Sequence, residues 1–275
     1  MWRRDRGAGR DCLRIGRLAV ERWAIADGVL TLRAQAPLPQ DVAPRLASLN
    51  ATIRALYPDA TQTSIDVVLE SAWVPVTLVD TGAALLRSGQ VDALARHRLG
   101  LQFSDAADPV AGWDLRIEQR VGDRHALVYG MSPLVRQALI DAGSACGLTW
   151  SSMSPAFAWG LERMASVLHW GSGGGWFLWP EQDRTLVARL ASGRVCALDP
   201  GAAPLGDGAA AARLVNAERV RQGMASSAVP IIAATWDAGL RTPKPRDVID
   251  WLDVRNPHAR LERAGMRAGM AGTTA

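Results

Sequence analysis

The chain has almost no lysine: Lys244 is the single one in 275 residues, so its positive charge rests on arginine. The formal net charge is only +4, and the arginines are scattered except in the terminal stretches WRRDRGAGR and HARLERAGMR. A nucleic-acid binder concentrates cations on one face, so this distribution argues against nucleic acid as a partner. Cysteine is scarce as well. Cys12, Cys146 and Cys196 are odd in number, form no CxxC and sit in apolar patterns, which predicts buried free thiols and a reducing compartment. No apolar run approaches the ~20 residues of a membrane span. MWRRDRGAGRD is not followed by the apolar segment of a secretory signal. A soluble, cytoplasmic protein is expected.

Chemistry-bearing motifs are equally thin. His97, His125, His169 and His258 stand alone, without the spacing of a metal site, and no serine lies in a G-x-S-x-G elbow. Asp80-Thr81-Gly82 copies the aspartic-protease triplet, but that chemistry needs two carboxyls sharing a proton, and a second triplet is missing. It reads as a turn. Gly171, Gly173, Gly174 and Gly175 lack the Lys-Ser/Thr of a phosphate loop and precede a strand, so they read as a hinge. No catalytic residue, metal ligand or cofactor is expected.

What is present is a design used twice. CLRIGRLAVERWAIADGVLTLRAQA (12–36) and GWFLWPEQDRTLVARLASGRVCALD (175–199) each read as strand, turn, longer strand, turn and third strand. Asp27-Gly28 and Ser192-Gly193 supply the second turns, where both central residues need positive φ. After the first of these, Leu30, Leu32, Ala34 and Ala36 alternate with polar residues, which predicts a half-buried strand with all four on its inner face. A meander recurring one domain length later predicts a duplicated α/β unit and two lobes facing across a cleft.

Between the meanders, Leu46, Leu49, Ile53 and Leu56 make a helix face that Pro58 ends. Two strands follow over 63–79, joined by a turn at Ser71-Ala72, with Pro75 marking an edge or bulge. A helix over 91–103 carries Val91, Leu94, Ala95, Leu99 and Phe103, and a hairpin over 113–131 follows it. Ser132-Pro133 and Ser154-Pro155 each read as a helix start, serine capping and proline at the first helical position. The second of these helices is expected to turn Ala158, Leu161, Met164, Ala165 and Leu168 inward. A later helix spans about 209–223, then a strand VPIIAAT, and a last helical turn or two is expected over RDVIDWLD. Most of the 11 tryptophans fall in these elements and read as core, one or two as lining for a peptide groove.

The order LRIGRLAVERWAIADGVLTLRAQAPLP, helix, TSIDVVLESAWVPVTLVD, QVDALARHRLGLQF, then WDLRIEQRVGDRHALVYGMSPLVRQALIDAGSACGLTWSSMSPAFAW and a second meander resembles the actin-like ATPase superfamily. Within it the pattern is similar to PilM-type pilus-assembly proteins and, next, to the cytoplasmic part of the type II secretion platform protein. The resemblance implies an actin-like (ribonuclease H-like) α/β fold of two lobes with mixed sheets. Its expected parts are a disordered basic lead-in (1–11), a first lobe (12–170) with an inserted subdomain (about 65–131), a reduced second lobe (171–255) and a disordered tail (256–275).

The same resemblance locates where nucleotide would bind, and there the chain departs from it. Arg14, Gly16 and Arg17 occupy the first phosphate turn, where an acidic residue is expected, and arginine cannot ligate Mg²⁺. Trp179 and Pro180 replace the second Asp-x-Gly turn, and Trp236 crowds the late glycine region. The implied role is a non-catalytic scaffold at the inner-membrane face of a pilus or secretion platform, reaching the membrane through its partner. That partner would be a bitopic protein whose cytoplasmic tail sits between the first-lobe core and the subdomain, against Trp73, Val74 and Val76 and the helix face of Val135 and Leu139. Homo-oligomerisation is compatible with this reading. The alternative is a nucleotide-dependent ATPase or kinase relative that still binds ATP.

Overall fold

The computed structural model describes residues 10–59, 63–82, 87–103, 109–119, 123–165, 174–205, 208–223, 229–236 and 249–256. Residues 1–9 of the expected lead-in (1–11), most of the glycine hinge and nearly all of the tail lie outside them, while Arg10 and Asp11, expected in the lead-in, belong to the first strand. The first meander is β1 (Arg10–Ile15), β2 (Ala19–Ala26) and β3 (Val29–Pro37). Asp27 and Gly28 both have positive φ, as the hairpin turn requires. β4 (Thr63–Leu69) and β8 (Leu148–Pro155) add in parallel, giving the order β3-β2-β1-β4-β8. Helices α1 (Val42–Leu56) and α3 (Pro133–Ala145) pack side by side and reach β3 and β8 respectively. Leu49, Ile53 and Leu56 are buried as the helix period demands.

The second meander is β9 (Gly175–Pro180), β10 (Thr185–Ala191) and β11 (Arg194–Ala202), and Ser192 and Gly193 again have positive φ. β12 (Ile231–Thr235) and β13 (Ile249–Asp253) complete a sheet of order β11-β10-β9-β12-β13. In both sheets the first meander strand pairs antiparallel with the second and parallel with a later strand. Helix α5 (Gly208–Arg221) covers β10 and β13. One apolar core runs through both lobes, from Leu13, Val67 and Leu139 to Phe177, Trp179, Leu186 and Ile232.

The subdomain is a third sheet, order β5-β7-β6, from β5 (Val76–Asp80), β6 (Asp114–Glu118) and β7 (His125–Met131), backed by α2 (Ser88–Gln102). Val79, Val91, Ala95, Leu99, Trp113 and Val128 form its own small core. Among the described residues no helix is long and apolar enough to cross a membrane.

Several expectations need correction. The two strands expected over 63–79 belong to different sheets: the turn at Ser71 carries the chain from the main sheet into the subdomain, whose first strand is β5, later than the expected start at about residue 65. Leu32 is exposed, because β3 carries a bulge with Arg33 as the extra residue opposite Arg22 and Trp23. Ser132 caps α3, accepting from the N–H groups of Leu134 and Val135. Ser154 does no such thing, since β8 continues through Pro155 and α4 (Ala156–Met164) starts without a side-chain cap. α4 buries Ala156, Phe157, Gly160 and Met164, so its inner face is rotated from the expected stripe, Ala165 is exposed, and Leu168 lies outside the described residues. Leu94 of α2 is likewise exposed. IDWLD, expected to be helical, is β13, because pairing with β12 overrides local propensity.

Candidate functional site

The two meanders meet turn to turn. The β1–β2 turn, residues 16–18, belongs to the first lobe, and the β9–β10 turn, residues 181–184, to the second. A Cβ on Gly16 would run into the Gln182 carboxamide and displace it from this seat. Gln182 Oε1 accepts from the backbone N–H of Leu18 at 2.7 Å and of Ala19 at 2.9 Å. Its Nε2 donates to Ala19 O at 3.2 Å and to Glu21 at 3.3 Å. A tight turn with adjacent N–H groups is a natural anion cradle. Here a neutral side chain of the same molecule fills it.

Below this contact lies Arg14, buried and paired with Glu21 at 3.1 Å and with Glu70. Burial works against the Arg14 charge, but Glu70 and Glu21 outweigh it and hold the guanidinium firmly protonated. Gln182 N–H donates to Glu70 at 3.1 Å, and Ser71, the next residue, donates its N–H to Glu181 Oε1 at 2.7 Å and hydrogen-bonds Oε2 through its hydroxyl. Burial first, then the Glu70 charge, pushes the Glu181 carboxyl up to about 8. Trp73 Nε1 donates to Gly16 O at 2.8 Å. At the rim Arg17 pairs with Asp183 at 2.6 Å.

Indoles fill the rest of the space between the lobes. Trp236 lies under the Arg14 guanidinium at 4.2 Å and stacks on Trp159 at 5.7 Å. Trp179, fully buried, meets both edge-on and lies against Gly160, where a Cβ would collide with its ring. On the far side Arg163 clasps the lobes, donating to Gly28 O at 2.6 Å, Val254 O at 2.6 Å and Arg255 O at 3.0 Å.

The structure thus gathers Arg14, Gly16, Arg17, Trp179 and Pro180 into one junction. The expected docking residues are not a surface. Trp73, Val74, Val76 and Leu139 are core residues, and Val135 is half-buried. β5, the strand offered as a docking edge, lies against β11 of the second lobe. Glu70, Glu181 and Gln182 were missed: they come from segments 110 residues apart, and no spacing links them. Asp80-Thr81-Gly82 is a turn, with Gly82 N–H on Asp80 at 2.8 Å and Arg124 pairing with Asp80 at 3.0 Å. Cys12 and Cys146 are buried free thiols, while Cys196 is half-buried.

A groove of about 650 Å³ opens between the subdomain and the body. Arg116 and Glu118 of β6, His125 and Leu127 of β7, Leu161 of α4 and the β10–β11 turn through Cys196 line it. Among its charges Arg116 pairs with Glu118 at 2.8 Å and Arg194 with Asp123, while Arg124 reaches Asp80 outside the lining. β6 is the outer strand of its sheet, with Asp114, Arg116 and Glu118 exposed.

No protein-family model and no curated protein matches the sequence. Among solved structures, the chain is similar to a Bacteroides thetaiotaomicron protein with an actin-like ATPase fold and unknown function, at TM-score 0.54, 6% identity, 89% of this chain and 90% of that one. It is also similar to the PilM–PilN type IV pilus biogenesis complex, at TM-score 0.51, 14% identity and coverages of 93% and 85%. A further likeness, at TM-score 0.49 and 15% identity with coverages of 94% and 95%, is to the cytoplasmic domain of EpsL, an inner-membrane component of the Vibrio cholerae type II secretion system. The chain has the actin-like fold.

Proposed function

We propose that this actin-like chain is a non-catalytic scaffold of a pilus or secretion assembly platform, working at the cytoplasmic face of the inner membrane by holding the tail of a bitopic partner. The observation that carries the non-catalytic half is the Gln182 carboxamide, seated on the Leu18 and Ala19 N–H groups that a phosphate would need. Arg14 and two glutamates occupy the space behind it, and an arginine offers a divalent metal nothing. A triphosphate entering here would have to break the lobe–lobe contact before finding a donor.

The scaffold half rests on fold likeness to a PilM–PilN complex and on the groove beside β6. An outer strand offers unpaired backbone groups to an extended segment, and alternate side chains of that segment would enter the groove. The docking place we assign is therefore the β6 edge, not the buried Trp73–Val76 segment.

Two measurements test the two halves separately. A Kd of ~10 µM for Mg·ATP would stabilise the protein by ~2.7 kcal/mol at ~1 mM ligand; we expect no shift in the unfolding midpoint, and a clear one restores the nucleotide-dependent alternative. A photo-crosslinking residue at Glu118 is expected to capture a single-span membrane protein through its cytoplasmic tail, while the same probe at exposed Gln35 captures none. Equal labelling from both positions, or none from Glu118, overturns the docking assignment.

A further inference from the structure

We propose that the lobe junction is a proton-held latch: three carboxyl side chains from separate segments close on one buried guanidinium, which Glu21 and Glu70 share, and the third, Glu181, holds a proton that keeps the lobes clasped. The charge count comes from geometry. Glu21 of β2, Glu70 after β4 and Glu181 after β9 are all buried, and the buried cation among them is Arg14. Arg14 serves Glu21 and Glu70, which also receive Trp23 Nε1 at 3.0 Å and Gln182 N–H at 3.1 Å. Among the described residues, Glu181 receives the neutral N–H and hydroxyl of Ser71 and no cation's hydrogen bond.

Of the other charged groups nearby, Arg184 favours the Glu181 carboxylate, less strongly than burial and the Glu70 charge oppose it, and its hydrogen bonds go to Asp183. Arg17 and Arg184 both bond Asp183, at 2.6 Å and 3.0 Å. Arg45 donates to the carbonyls of Pro39 and Gln40. Taking an unpaired carboxylate out of water is costly, and a buried group avoids that cost by staying neutral. A charged Glu181 would also face Glu70 across the junction, which agrees with the upward push on its carboxyl.

The contact is placed where it can act. Ser71 belongs to the first lobe and Glu181 to the second, next to the Gln182 bridge. The clasped state holds a proton that the open or unfolded chain has released above the ordinary glutamate range, ~4.3. The latch is therefore fully effective below that range and weakens as pH rises to about 8, where it levels off. One proton corresponds to about tenfold in the open population per pH unit within that window.

The test uses the full chain as wild type, Glu181→Gln and Ser71→Ala, with unfolding midpoints taken across that window and above it. Amide protection, corrected for intrinsic exchange, is read in parallel at residues 16–19 and 70–73 and in the subdomain strands. Wild type is expected to lose protection at the junction by about tenfold per pH unit while β5–β7 keep theirs. Glu181→Gln, isosteric with the neutral acid, is expected to be clearly shallower over the same range, the remainder belonging to Glu70, whose carboxyl is also pushed up by burial against the pull of Arg14. Parallel profiles for wild type and Glu181→Gln, or a loss spread evenly over the chain, overturn the latch. Should Glu181→Gln not fold, the wild-type and Ser71→Ala profiles decide alone: a flat wild type, or an unmoved window in Ser71→Ala, overturns it equally.

Discussion

Gln182 makes four hydrogen bonds into the first lobe through one short, uncharged side chain, whereas Arg17, in the turn that Gln182 bonds, makes a single ion pair from a half-exposed position. Their energetic weights differ for that reason. Gln182→Ala leaves the Leu18 and Ala19 N–H groups without their acceptor and is expected to cost ~1–3 kcal/mol in chemical denaturation. Arg17→Ala is expected to cost under ~1 kcal/mol, since water already screens that pair. Gly160→Ala pushes a methyl into the Trp179 ring, and overpacking of this kind costs ~1–3 kcal/mol. At this scale the sequence was half-readable. Arg14, Trp179 and Pro180 stood out because they are wrong for holding a triphosphate. Gln182 did not, because nothing in a polar turn residue reveals which backbone it will meet 163 positions away.

Among the elements, local chemistry was legible where it acts alone. The positive φ at Asp27-Gly28 and Ser192-Gly193 follows from those residues being in two-residue hairpin turns. The Ser132 cap is also local, and Ser132→Ala is expected to lower stability by ~1 kcal/mol, measurable from the denaturation midpoint. Ser154-Pro155 carries the same letters but ends a strand that pairs with β4 through Pro155 itself, so the ladder wins over the cap. β13 makes the same point, for IDWLD has too few residues to fix its own state and takes the one its neighbour β12 offers. The expected docking strand failed for a related reason. Trp73, Val74 and Val76 are buried, as are Pro75, Thr77 and Val79 between and beside them, and alternation alone could not tell a strand covered on both faces from one with a face free for a partner.

For the molecule as a whole, duplication of the meander was readable, and each copy does build the centre of its own sheet. How the copies face each other was not, because the apposition is set by side chains far apart in the chain. Arg163 illustrates it: one residue of α4 ties the β2–β3 turn to the end of β13 through three carbonyls. Arg163→Ala is expected to loosen that seam, with faster exchange of the Leu30 amide, which donates to Arg255 O at 2.9 Å. An unchanged rate for that amide counts against the clasp.

The apolar interior that runs from Leu13 to Ile232 without a break has a consequence for how the chain is handled. Neither half, expressed by itself, would have anything to lay its inner wall against, so each is expected to aggregate. Heated intact, the protein is expected to melt in a single calorimetric step, with equal van't Hoff and calorimetric enthalpies, in place of two domain-by-domain transitions.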